Sequence, residues 1–209
     1  PAALGCHILS MTHSSQDILN LFWLQRHLAP GLNQPLVPLL ETISDLRRGP
    51  EILRELFSNP DYRSYLENHC GNLQRVMIGY SDSTKDGGYL AANWSLYEAQ
   101  SAILEVASQF QVSVQFFHGR GGALGRGGGP AARSIVSLPP GSCSHGLRIT
   151  EQGEVLSARY DDPLVAQRHL EQLTWAMLEV LGDGQGAGAV PSAWKEQMAL
   201  CCENSRVVY

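Results

Sequence analysis

Short apolar runs alternate with longer amphipathic stretches along this 209-residue chain, and the alternation restricts the possible folds more than any other feature. The apolar runs cover residues 6–11, 35–40, 75–79, 112–117 and 147–150. Parallel neighbouring strands need a long crossover connection, which an intervening helix supplies. The sequence therefore predicts an α/β protein with parallel strands, crossover helices and helices at its C-terminal end.

Helix signals lie between these runs. Ser14 or Ser15 can cap a first helix, and its apolar residues are predicted to share one side: Ile18, Leu21, Phe22, Leu24 and Leu28. Further helices are predicted from about 45 to 57, from 60, from about 89 to 110, from 131 to 136 and from about 164 to 181. The prolines at 35 and 38 weaken the second strand prediction.

A glycine-rich segment at residues 119–130 follows the fourth apolar run and contains Arg120 and Arg126, with His118 just before it. Glycine lets backbone N–H groups approach a ligand, and arginine donates two hydrogen bonds to one oxyanion. The chain has a formal charge of −5, yet residues 106–150 contain no acid and four arginines. The segment predicts a phosphate or carboxylate site, although a solvated arginine loop is the alternative.

Polar residues follow each apolar run. The carboxyl ends of parallel strands form one edge of a sheet or barrel, where ligands bind. We therefore predict that one site collects residues that are far apart in sequence. Its candidates are Glu41, Asp82, Lys85, His118, Arg120 and Arg126.

Glu41 and Asp82 each stand where an apolar run ends, and paired carboxylates suit Mg²⁺ or Mn²⁺. The alternative is that Asp82 and Asp45 cap the helices that follow them. Lys85 is either a cation for the substrate or an ion-paired surface lysine. His118 is either a group that orients substrate or relays a proton, or a core histidine.

Other classes of function have less support. The glycine-rich segment has no lysine and so is no Walker loop, and its two Arg-Gly-Gly units stand in an acidic chain, so nucleic-acid binding is not predicted. Five cysteines without C-x-x-C spacing predict free thiols. With no apolar run of membrane-spanning length, we predict a cytoplasmic protein without membrane contact.

Residues 76–88 and 117–130 closely resemble the phosphoenolpyruvate carboxylase family, with support from residues 8–11, 37–42 and 147–154. The resemblance implies a (β/α)8 barrel that joins bicarbonate to phosphoenolpyruvate, giving oxaloacetate and phosphate through carboxyphosphate and a metal-stabilised enolate. It implies that residues 1–181 are a segment from the second half of the barrel, that residues 182–190 are a glycine-rich link, and that residues 191–209 begin a C-terminal helical region.

The resemblance also implies roles for the candidate residues. Glu41 and Asp82 match metal ligands that hold Mg²⁺ or Mn²⁺. Arg120 and Arg126 match the catalytic glycine-rich loop, and the second arginine is linked to feedback inhibition by aspartate. Lys85 and His118 match residues near bicarbonate and substrate.

Parts of the family pattern are absent from these 209 residues. No Thr-Ala-His-Pro run occurs, and both ends look truncated, so we predict an incomplete and inactive piece of an allosteric, homotetrameric enzyme that feeds the tricarboxylic acid cycle. The alternative is a non-catalytic anion-binding or scaffold protein derived from the same barrel.

Overall fold

The computed structural model describes residues 4–119, 131–151, 153–182 and 190–209. Five parallel strands form one sheet in the order in which they occur in the sequence. They are β1 (His7–Leu9), β2 (Leu36–Leu40), β3 (Leu73–Gly79), β4 (Ser113–Gly119) and β5 (Arg148–Ile149). Sequential, all-parallel order is that of a partial barrel, so the predicted α/β class is confirmed.

Helices make the crossovers, because each strand is followed by at least one helical segment. They are α1 (Ser15–Leu28), α2 (Ile43–Ser58), α3 (Pro60–His69), α4 (Ser81–Gln109) and α5 (Ala131–Val136). Three more helices follow β5: α6 (Gly153–Tyr160), α7 (Pro163–Gly182) and α8 (Ser192–Val208). None of the described helices is both long enough and apolar enough to cross a membrane.

The main core lies between the sheet and helices α1 to α4. Leu40, Ile78 and Phe116 enter it from three adjacent strands, and each is at most 1% exposed. We call this side of the sheet the helix face. Because side chains alternate between the two faces of a strand, Met77 and Phe117 lie on the opposite side. We call that side the site face, since Glu41, the residue after Leu40, lies on it as well.

Three predictions about the elements need correction. The run at residues 6–11 was predicted as a buried strand, but β1 has only three residues and none of them is fully buried, because it is an edge strand of the described sheet. Leu24 and Leu28 are 43% and 74% exposed, and Gln25 takes the buried position instead. The long helix begins at Ser81 rather than near 89, with non-helical angles at Gly87 and Gly88 that bend it.

The C-terminal helices pack in two places. Ile135 and Val180 belong to a second core in which α7 packs on α5, whereas α8 packs on α4 through Cys202 and Ala91. The predicted glycine-rich link falls mainly on residues 183–189, which lie outside the described residues. The predicted division at 181 and 190 stays a prediction.

Candidate metal and anion site

The strand register aligns the carboxyl ends of β2, β3, β4 and β5. Leu40 pairs with Ile78, Ile78 with His118, and His118 with Ile149. The next row therefore contains Glu41, Gly79, Gly119 and Thr150. A Cβ atom added to Gly79 would lie 3.2 Å from the Glu41 Cα atom, which places that glycine directly beside the glutamate.

Glu41 is held at this edge by the loop after β1. Its Oε2 atom accepts a hydrogen bond from the Met11 backbone N–H at 2.9 Å. Met11 has a φ of +53°, an uncommon conformation for a residue with a side chain. One carboxylate oxygen thus has a fixed partner. This contact joins residues 30 apart in sequence, and no spacing rule indicated it.

Asp82 lies in the first turn of α4, just beyond the end of β3. The N-cap is Tyr80, without a side-chain capping bond, so Asp82 is not the helix cap of the alternative interpretation. The Lys85 Nζ atom lies 2.9 Å from the Asp82 Oδ1 atom, and both side chains are at least half exposed. Such an ion pair adds little stability, which leaves the carboxylate available to a ligand.

Asp86 connects the two acidic segments. Its Oδ2 atom accepts a hydrogen bond from the Ile43 N–H at 3.0 Å, and Ile43 is the first residue of α2. A carboxylate at a helix N-terminus accepts a hydrogen bond from an otherwise unpaired N–H group and interacts favourably with the helix dipole. The turn that carries Asp82 is therefore tied to the segment that follows Glu41, a link that sequence reasoning missed.

Asp45 is the capping carboxylate that the alternative interpretation expected. It forms a capping box with Thr42, whose side chain accepts from the Asp45 N–H. Its Oδ1 atom also lies 2.7 Å from the His13 Nδ1 atom. The hydrogen bond to Asp45 raises the pKa of His13 above its usual value. Burial opposes ionisation of Asp45, but hydrogen bonds from His13 and Thr42 outweigh it and lower its pKa.

The His13–Asp45 pair predicts a pH-dependent stability. A raised histidine pKa stabilises the fold below pH 6.5 and loses that effect as pH rises through the folded-state pKa. The lowered Asp45 pKa keeps the carboxylate charged down to below its ordinary 3.8. In wild type, the unfolding free energy should fall between pH 6 and 8 as His13 loses its proton. We expect His13→Gln to make this fall smaller by at most about 1 kcal/mol, because His13 is half exposed.

Urea unfolding at pH 6 and pH 8 measures this effect. The control is His145→Gln, since His145 is an exposed histidine outside the pair. Arg48 and Asp17 also face His13, and both stay in place in the two variants. Identical pH profiles for wild type and His13→Gln would contradict the assignment.

His118 is buried, with 2% exposure, at the end of β4. It lies two residues beyond Phe116 in an unbroken register, so alternation directs its side chain to the helix face rather than to the face of Glu41. Its Nδ1 atom lies 2.8 Å from the Tyr80 hydroxyl. The Tyr80 contact was not predicted.

The basic part of the predicted site is described only in part. Arg120 and Arg126 lie outside the described residues. Arg148 is described, and its guanidinium carbon lies 4.4 Å from the ring centroid of Phe117 on the site face. Arg148 is paired with Phe117 across β4 and β5, so one cation of the acid-free stretch reaches this side of the sheet.

The donor set fits a hard divalent ion. Among the described residues, no group of three or more histidine, cysteine, aspartate or glutamate side chains could hold a metal. Mg²⁺ binds through one or two carboxylates and keeps water or substrate oxygens in its other positions. Glu41 and Asp82, after adjacent strands, match that requirement in number and chemistry.

Gly79→Ala tests the packing beside Glu41. The added Cβ atom would press on the Glu41 backbone, which cannot rotate away as a side chain can. We expect a loss of about 1–3 kcal/mol in unfolding free energy and weaker Mn²⁺ binding. Gly182→Ala is the matched control, because its added Cβ meets no atom within 4 Å. Equal Mn²⁺ affinity in both variants would contradict the predicted role of Glu41 as a metal ligand.

The five parallel strands in sequential order, with their crossover helices, define an α/β protein of the partial-barrel type, and Glu41 and Asp82 at its carboxyl edge are candidate metal ligands. The sequence model of the phosphoenolpyruvate carboxylase family matches residues 1–209. The chain belongs to the phosphoenolpyruvate carboxylase family.

Individual relatives agree. The chain is 47% identical over 207 residues to the phosphoenolpyruvate carboxylase of Thermus thermophilus, covering 96% of this chain and 24% of the relative. It is 50% identical over 173 residues to that of Corynebacterium diphtheriae, covering 82% and 19%. For Mycobacterium leprae the identity is 45% over 203 residues, covering 92% and 22%. The chain thus spans about a quarter of the length of these relatives.

Proposed function

We propose that this chain is a segment of a phosphoenolpyruvate carboxylase that joins bicarbonate to phosphoenolpyruvate and releases oxaloacetate and phosphate. The observation that carries the proposal is the placement of Glu41 and Asp82 after adjacent strands in a chain whose whole length matches the family. Mg²⁺ or Mn²⁺ would be held by these two carboxylates. When bound, the ion would supply positive charge for the enolate oxygen that is left when the phosphoryl group passes to bicarbonate.

The residues around the carboxylates provide binding and orientation. In the reaction, a bicarbonate oxygen attacks the phosphorus of phosphoenolpyruvate, giving carboxyphosphate and the enolate of pyruvate. Carboxyphosphate then splits into carbon dioxide and inorganic phosphate, and the enolate carbon attacks the carbon dioxide to form oxaloacetate. Arg120 and Arg126 would donate to the phosphoryl oxygens, and Lys85 would act as a point cation on the substrate.

Water exclusion is the second requirement of this chemistry. An enolate that takes a proton becomes pyruvate and is lost to the carboxylation. The glycine-rich segment that holds Arg120 and Arg126 would close over the substrate, because glycines tolerate the backbone changes that closure needs. His118, at the end of β4, would act near bicarbonate and substrate at this site.

We further propose that the segment is inactive alone and works within a full-length, cytoplasmic, homotetrameric carboxylase. The family's catalytic histidine run is missing from the 209 residues, and the chain covers about a quarter of its relatives. Allosteric inhibition by aspartate at Arg126 is part of the same proposal. The non-catalytic scaffold stays the second candidate.

Isotope transfer tests the function directly. The full-length carboxylase that contains this chain is incubated with phosphoenolpyruvate, Mg²⁺ and bicarbonate labelled with ¹⁸O, and oxaloacetate is measured by its reduction with NADH. We expect bicarbonate-dependent oxaloacetate and one labelled oxygen in the phosphate, because a bicarbonate oxygen attacks phosphorus. A folded protein that makes no oxaloacetate would favour the scaffold, and unlabelled phosphate would reject the carboxyphosphate route.

A further inference from the structure

The hydrogen bond between Tyr80 and His118 joins the two strand ends nearest to Asp82. Tyr80 follows directly after β3 and precedes Asp82 by two residues. Its hydroxyl lies 2.8 Å from the His118 Nδ1 atom, and the two ring centroids are 6.0 Å apart. A side chain of β4 therefore contacts the residue from which the Asp82 turn begins.

The Asp82 turn is itself fastened to Tyr80. The backbone oxygen of Tyr80 accepts from the Thr84 hydroxyl at 2.7 Å and from the Thr84 N–H at 3.2 Å. The Ser83 hydroxyl donates to the Gly79 oxygen at 2.8 Å. Because these bonds connect the turn to the end of β3, a displacement of Tyr80 would displace Asp82 with it.

His118 is a rigid support for this contact. Its side chain is 2% exposed and, by strand alternation, lies on the helix face. Its backbone oxygen accepts from the N–H of Thr150, the residue after β5, at 3.0 Å. A buried imidazole on a backbone that is fixed in this way has few accessible rotamers. Tyr80 packs against the same main core.

We propose that Tyr80 and His118 are positioning residues: their hydrogen bond holds the first turn of α4, and with it Asp82, against the end of β4. The inference rests on the proposed function, in which Asp82 binds the metal. It differs from a direct role of His118 on bicarbonate or substrate. Outer partners that orient metal ligands change metal affinity or activity by about 10- to 100-fold when removed.

The test uses Tyr80→Phe, His118→Asn and the double variant in the full-length carboxylase. Hydrogen exchange of the amides of residues 81–86 is measured without metal, and Mn²⁺ affinity is measured without substrates. We expect faster exchange and about tenfold weaker Mn²⁺ binding in each single variant. The double variant should show no faster exchange and no weaker Mn²⁺ binding than the single variant with the larger effect, because both substitutions remove the same contact.

Tyr62→Phe is the matched control. It also removes a buried hydroxyl bond, from Tyr62 to the Gln74 Oε1 atom at 2.9 Å, but at a site in the main core away from Asp82. We expect a lower thermal midpoint with wild-type exchange at residues 81–86 and wild-type Mn²⁺ affinity. The same pattern in Tyr80→Phe would overturn the proposal, because Tyr80 would then contribute only to the stability of the core and not to the position of Asp82.

Two further outcomes separate this inference from the function. A higher KM for bicarbonate in His118→Asn, with unchanged Mn²⁺ affinity, would overturn it in favour of direct substrate contact. Wild-type protein that makes no oxaloacetate would reject the proposed carboxylase, whereas the exchange and Mn²⁺ measurements would still confirm or overturn the positioning of Asp82.

Discussion

Asp82→Ala in the full-length carboxylase is expected to lower kcat by about 10³-fold, which corresponds to about 4 kcal/mol of transition-state stabilisation. The reason is that, in the proposed site, removal of one of two carboxylates would weaken the hold on the divalent ion at the place where negative charge develops on the enolate oxygen. The Lys85 ammonium, which lies 2.9 Å from Asp82, would also lose its anionic partner. Oxaloacetate formation at one fixed Mg²⁺ concentration, chosen to saturate the wild type, measures the effect.

Asp161→Ala is the control for charge and for side-chain truncation. Asp161 is an exposed aspartate between α6 and α7, and we expect the variant to keep wild-type kcat. The Asp82 side chain is half exposed, so its loss should leave the thermal midpoint nearly unchanged. An Asp82→Ala enzyme with the kcat of Asp161→Ala would remove Asp82 from the site.

Phe116→Ala is expected to have the largest effect on stability, about 3–5 kcal/mol of unfolding free energy. The Phe116 side chain is 1% exposed and enters the main core from β4, which is hydrogen-bonded to a strand on each side. Its removal leaves a cavity between sheet and helices that the surrounding side chains cannot fill. Urea unfolding of the chain measures the difference.

Two other substitutions calibrate that result. Phe116→Leu keeps most of the apolar volume, so we expect a smaller loss than for alanine. Leu28→Ala removes a leucine that is 74% exposed, and we expect a change within about 0.5 kcal/mol. If Phe116→Ala were as stable as Leu28→Ala, the described core would be wrong.

The order of elements could be predicted because each apolar run is separated from the next by helix and turn signals. The N-cap at Ser14 and the helix start at Pro60 follow from local capping chemistry, and both are present. The start of α4 was predicted too late. Gly87 and Gly88 indicate a break in a helix, so the helix was predicted to begin after them. In the structure the helix already begins at Ser81 and bends at these two glycines.

The edge strand β1 and the outer side of α1 were also predicted less well. Leu24 and Leu28 have the correct spacing for a buried helix face, but that spacing does not reveal how wide the covering sheet is. Gln25 is buried because its side chain donates to the Gln34 oxygen at 3.2 Å. Such a polar partner nine residues away cannot be recognised from periodicity.

For the candidate site, the sequence indicated which residues follow the strands but not what holds them. Glu41 and Asp82 lie after adjacent strands, as the strand-end argument predicts. Their supports, the Met11 N–H and the Asp86 bridge to Ile43, connect residues at least 30 positions apart. Long-range hydrogen bonds of this kind depend on tertiary geometry.

His118 shows that some of this information was present in the sequence. Val114 and Phe116 alternate with polar or site-facing residues, and the same period of two places His118 on their side of the strand. The alternation therefore indicated a buried histidine. Only the structure identifies Tyr80 as its partner.

The most direct test of the account is a Mn²⁺ titration of the full-length carboxylase, in which electron paramagnetic resonance measures the free ion. Wild type, Glu41→Gln, Asp82→Asn and the double variant are compared. We expect one Mn²⁺ per chain in wild type, weaker binding in each single variant and no measurable binding in the double variant. Unchanged affinity in both single variants would contradict the claim that the acids after β2 and β3 hold one metal ion.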